Sequence, residues 1–94
     1  MTTTTELFDY IFETEFGRLI YSNIKDNVMK ILFYEGKENY EKCAQLHRDT
    51  LETLQIYSGY AEHYHISEEE LYMLLHETYI TQIEFFRQQY KHNE

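Results

Sequence analysis

Two histidines, one cysteine and a run of three glutamates are the residues whose types and spacing bear on chemistry. His63 and His65 stand two apart in Glu62-His63-Tyr64-His65, and on an extended segment such a pair presents both imidazoles to one side. Zinc takes four ligands. The pair supplies two, so the fold would have to bring in Glu62, His76 or Cys43. No CxxC or HExxH spacing accompanies the pair, so the expectation is two surface histidines, no bound metal and no other cofactor. Cys43 is alone in the chain, and a lone cysteine inside a helical pattern reads as a small buried hydrophobe rather than a nucleophile. Glu68, Glu69 and Glu70 are consecutive, so in a helix they splay over different faces. A glycosidase needs two carboxylates that converge on one bond. A Ser-His-Asp pattern, a glycine-rich phosphate loop and GxSxG are all missing. The chain is therefore expected not to be an enzyme.

The elements that position these residues are predicted to be helices. Proline is absent and glycine occurs three times, which favours long uninterrupted helices. Apolar residues at helical spacing mark four of them. The first runs from Thr5 to Ile20, capped by Thr4 or Thr5, with Phe8, Ile11, Phe12, Phe16 and Leu19 on one face and a weak point at Gly17. The second runs from Asn23 to Glu35, with Ser22 as its cap, Ile24, Val28, Ile31 and Leu32 inward, and Gly36 as its stop. A β-hairpin over residues 18–34 is the rival, and its poor alternation disfavours it. The third runs from Lys37 or Glu38 to Tyr57. Tyr40, Cys43, Ala44, His47, Leu51, Leu54 and Ser58 form its face, Leu46 and Thr50 its edge, and Gly59 follows. Ser67 and Glu70 then form a capping box. It opens a last helix from Glu68 to Tyr90, about 33 Å long at ~1.5 Å per residue. Tyr72, Leu75, Tyr79, Ile83, Phe86 and Tyr90 form its stripe, widened by Leu71, Leu74 and Thr78. The predicted fold is an all-α, compact bundle of about four helices with the long C-terminal helix as its spine. It forms a single domain over residues 1–94, with 1–4 and 91–94 disordered.

The stretch from Tyr60 to Leu74 resembles the helix-turn-helix pattern of many repressors. Ala61 stands where that family has a small residue in its first helix. Tyr64, Ile66, Leu71 and Leu74 take its packing positions, and Ser67 caps the second helix. The resemblance covers about 15 residues and departs from the pattern twice. His65 replaces the turn glycine, at a position that prefers positive φ. The would-be recognition helix starts Glu68-Glu69-Glu70, where the family faces base edges and phosphates. What the resemblance implies is a transcription regulator whose acidic helix cannot read DNA. Its DNA face would have to come from Lys25, Lys30, Lys37, Lys42 and Arg48.

Composition limits partners and compartment. The net charge is −9, which disfavours direct nucleic-acid binding. Residues 60–94 carry seven acids against two bases, whereas 21–59 are nearly balanced. Ten tyrosines are more than a core this small can hide, so some face outward, as tyrosines in protein interfaces do. No apolar run approaches the ~20 residues that span a bilayer. The apolar patch near the N-terminus is broken by Asp9 and Glu13 and lacks a basic flank, unlike a signal peptide. A single cysteine fits a reducing compartment, so the expectation is the cytoplasm, or a host's cytoplasm if the chain is virus-encoded. The reading that results is a small acidic binding module. It would cover a basic, nucleic-acid-binding surface of a protein partner as an inhibitor or anti-regulator. Its contacts would be Glu62, Glu68, Glu69 and Glu70, with Tyr60 and Tyr64 as anchors. A homodimer would enlarge its core.

Overall fold

A computed structural model describes the backbone of residues 4–92 and the side chains of residues 6–89. Four helices and one 3-10 turn follow in order: α1 Thr4–Phe12, α2 Glu15–Gly36, α3 Tyr40–Ser58, the turn Ala61–Tyr64, and α4 Glu68–His92. The described residues contain no strand, so the architecture is all-α and residues 18–34 are the interior of α2 rather than a hairpin. Thr4, where disorder was expected, is helical, and α4 continues to His92. The rest of the expected disordered ends, the α1 cap and the Tyr90 side chain lie outside the described residues.

The first break falls at residues 13–14, not at Gly17. The Thr14 hydroxyl caps α2 by accepting the Gly17 amide. Gly17 is itself buried, and a Cβ there would stand 1.8 Å from the Ile11 carbonyl oxygen. Glycine thus lets the end of α1 touch the first turn of α2. The break also divides the predicted first face. Phe16 and Leu19 belong to α2, where Ile20 is buried and Leu19 is exposed. Ser22 is exposed inside α2 and caps nothing. The helix does end at Gly36, but the left-handed residue of the connection is Glu38, at φ 60°. Asn39 then caps α3 by accepting the Lys42 amide at 3.2 Å.

Cross-links give the directions of the helices. Asn23 pairs with the Tyr57 hydroxyl and the Cys43 thiol donates to the Ile31 carbonyl, so α2 and α3 are antiparallel. His47 meets Tyr79, while Ser58 shares a groove with Glu68 and Tyr72, so α3 and α4 are antiparallel too. Arg87 grips the Glu35 carboxylate through two bonds of 3.0 and 2.8 Å, tying α4 to α2. With 25 residues, α4 is about 37 Å long, close to the 42 Å length of the molecule. The core joins Ile11, Ile20, Ile24, Val28, Leu54, Leu71, Leu75 and Tyr79 in one cluster.

Only the C-terminal part of the predicted inward face of α3 is buried. Tyr40, Ala44 and His47 are exposed, while Thr50, Leu54 and Ser58 are buried. Thr50 and Ser58 tolerate burial because their hydroxyls donate to the Leu46 and Gln55 carbonyls of their own helix. On α4 the predicted flank is the centre. Leu71, Leu74, Leu75, Thr78, Tyr79 and Gln82 are buried, with Tyr72, Ile83 and Phe86 at the rim.

Candidate protein-binding surface

The six predicted contact residues lie at one end of the bundle, where α3 hands over to α4. Backbone chemistry builds this end. The 3-10 turn closes on His65, which takes the left-handed conformation (φ 60°, ψ 36°) and donates its amide to Glu62. The positive φ read from the pattern is therefore present, at a residue type that tolerates it better than most. The first helix of a helix-turn-helix is not present there: Ala61–Tyr64 is a single four-residue turn. Ala61, Tyr64, Leu71 and Leu74 are buried as the pattern requires, and Ile66 is half-buried. The Ser67 oxygen accepts the Glu70 amide at 3.1 Å, forming the predicted cap. The Glu70 carboxylate accepts the Ser67 hydroxyl proton, rather than reaching the backbone amide of Ser67.

Glu62, Glu68, Glu69 and Glu70 are all exposed. None of the four forms an ion pair, since Glu35–Arg87 is the one ion pair among the described residues. Glu68 and Glu69 line a shallow groove of about 430 Å³ with Gln55, Ser58 and Tyr72. Tyr60 is 53% exposed and meets the Phe16 ring at a tilt, 4.8 Å between centroids, so its ring is held in place while half of it stays open to solvent.

Tyr64 is the correction. It is 3% exposed and belongs to the core, so it cannot anchor a partner. Its hydroxyl lies 2.9 Å from Thr14 Oγ1. Thr14 also donates to the Ile11 carbonyl at 2.6 Å and accepts from Gly17 at 3.0 Å. A hydroxyl has one proton and two acceptor positions. Its proton is committed to Ile11, so Tyr64 must be the donor. This bond ties the α1–α2 corner to the acidic end. Sequence reasoning also missed Ile56, 69% exposed near the end of α3, and Met73, 62% exposed on α4. Met73 follows Glu69 by four residues and Glu70 by three, so it neighbours both on the helix surface. Its place on the outer face became visible only once the inward face of α4 was known.

The remaining chemistry-bearing residues are dispersed. His63 and His65 are exposed, and no group of three His, Cys, Asp or Glu side chains converges among the described residues. His76 stacks on Tyr72. Burial, and then the Glu35 carboxylate, push the Cys43 thiol above its ordinary value, which disfavours the nucleophilic thiolate. Burial pushes the Tyr79 phenol up to about 12. It therefore stays protonated and can donate to His47 Nδ1 at 2.7 Å. The five bases of the alternative DNA face divide. Lys30 and Lys42 share a groove with Phe33 and Tyr34, and the Lys37 ammonium lies 5.0 Å from the Phe33 ring centre. Lys25 instead points to Phe86 of α4, at 5.8 Å.

Compared with family models, curated proteins and solved structures, the chain matches none. No helix among the described residues is long and apolar enough to cross a membrane.

Proposed function

We propose that this chain is a small, acidic, non-enzymatic binding module that occupies a basic surface of a protein partner. In its sharpest form it is an inhibitor or anti-regulator that masks a nucleic-acid-binding site. The supporting observation is the cluster of four exposed carboxylates, Glu62, Glu68, Glu69 and Glu70, with no cationic partner among the described residues. Unneutralised charge at one end steers a basic partner toward that end and raises the association rate. Tyr60, half exposed and held against Phe16, supplies the aromatic contact typical of interface hot spots.

The experiment is capture from the native host lysate with and without nuclease, followed by affinity measurement on the isolated pair. One dominant protein retained after nuclease treatment supports the module reading, and a basic nucleic-acid-binding partner supports its sharper form. Recovery that depends on nucleic acid, with a gel shift at low salt, favours the transcription-regulator alternative. In the E68Q/E69Q/E70Q variant affinity should fall about 10- to 100-fold and its salt dependence should flatten. Helix content should be retained, because the Ser67 hydroxyl caps the Glu70 backbone amide whichever side chain stands at position 70. Unchanged affinity and salt dependence would remove these residues from the site.

A further inference from the structure

One groove lies away from the acidic end, between α1, α2 and α4. It measures about 300 Å³ and is lined by Phe8, Tyr21, Leu74, Glu77, Thr81 and Gln82, among others. That volume is at the lower bound for small-molecule sites, enough for one ring and a substituent. Its walls combine two aromatic rings with aliphatic carbon. Gln82 is 6% exposed, and neither its amide nitrogen nor its amide oxygen has a hydrogen-bond partner. Among the described residues this is the buried side chain left without a partner, whereas buried amides are nearly always paired. The buried hydroxyls beside it are satisfied, as Thr78 is by the Leu74 carbonyl.

An orphaned carboxamide specifies its complement. It holds two donors on one side and an acceptor on the other. A carboxylate would use only the donors and an ammonium only the acceptor, whereas an amide uses both. Glu77 in the lining also opposes an anion. The last torsion of a glutamine is soft, so the amide can turn toward an occupant of the groove at small cost. We propose that this groove binds an uncharged amide carried on a flat apolar ring, an aryl carboxamide or lactam, with Gln82 as the residue that recognises it. This site is separate from the acidic surface and does not depend on the protein partner.

The test is a titration of the full chain with benzamide, and with benzoate as the charged analogue, followed by amide chemical shifts. Shifts should concentrate at Phe8, Tyr21 and residues 74–82, with benzoate at least tenfold weaker. In Q82L, benzamide affinity should fall at least fivefold. The melting temperature of Q82L without ligand should rise, because the variant removes an unpaired buried amide. Benzamide shifts elsewhere or absent, equal binding by Q82L, or a Q82L melting temperature that stays level or falls would each overturn the proposal.

Discussion

At the scale of single residues, the three glycines separate by what a methyl group would meet. At Gly17 it would overlap the Ile11 carbonyl oxygen, whereas at Gly36 nothing lies within 4 Å. Gly17→Ala is therefore expected to cost more than about 2 kcal/mol, since backbone must move to admit it. Gly36→Ala should gain a few tenths to about 1 kcal/mol from the lower entropy of the unfolded chain. Urea titration of the two variants checks both signs. Tyr79 carries the pH prediction. Its phenol, unfolded near 10, is raised to about 12 by burial. The stability of the neutral form is therefore complete below pH 10 and is lost as pH rises toward 12, where the unfolded chain has released a proton that the folded chain keeps. Comparing wild type with Tyr79→Phe between pH 9 and 12 should show a shallower alkaline loss in the variant. Equal slopes would mean that the phenol is not desolvated.

At the scale of elements, Thr14 is the most exposed to test. It caps α2 and receives the Tyr64 hydroxyl, so Thr14→Ala removes a cap and strands a buried phenol. The cap alone contributes about 0.5–2 kcal/mol, and an unpaired buried hydroxyl about 1–3 more. Ser22→Ala, inside α2 and exposed, should be neutral or slightly stabilising. Thermal melts of the two variants distinguish cap from non-cap. The same helices show where sequence reading succeeds. Ile24, Val28, Ile31 and Leu32 were legible because helical periodicity and full burial coincide there. The break at residues 13–14 was not legible. Phe12 and Phe16 keep a four-residue spacing across it, and no proline marks the corner. On α3 the C-terminal part of the predicted face, Leu54 and Ser58, is buried, and Thr50 at its edge packs as if apolar because its hydroxyl is satisfied within the helix, whereas Tyr40, Ala44 and His47 of the same face turn outward. At the acidic end, exposure of the carboxylates was legible from charge and capping. Burial of Tyr64 was implied by its packing position in the helix-turn-helix pattern, against its reading as an anchor, whereas its bond to Thr14, fifty residues away, left no trace in the local sequence.

At the scale of the whole molecule, the bundle is long and narrow, 42 by 25 by 20 Å. The one ion pair among the described residues joins α2 to α4, and its side chains are 41% and 36% exposed. Such a pair contributes about 1 kcal/mol at most, so the fold rests on its apolar cluster. The chain contains no proline. Rate-limiting prolyl isomerisation, which takes tens of seconds or more, is therefore absent from its folding. Helical topology makes most contacts local and folding fast. Refolding from urea should be complete within a second and show a single phase. A slower phase that depends on protein concentration would instead report association between copies.

The Thr14 oxygen has one further consequence, for the alphabet of residues that position 14 can hold. Three neighbours use one proton and two lone pairs on a single atom. Serine meets that specification. Aspartate accepts both incoming bonds but has no proton for Ile11 when ionised, asparagine divides the roles between two atoms, and valine fills the volume with none of them. A library that varies this position and is selected for folded protein should therefore converge on two letters.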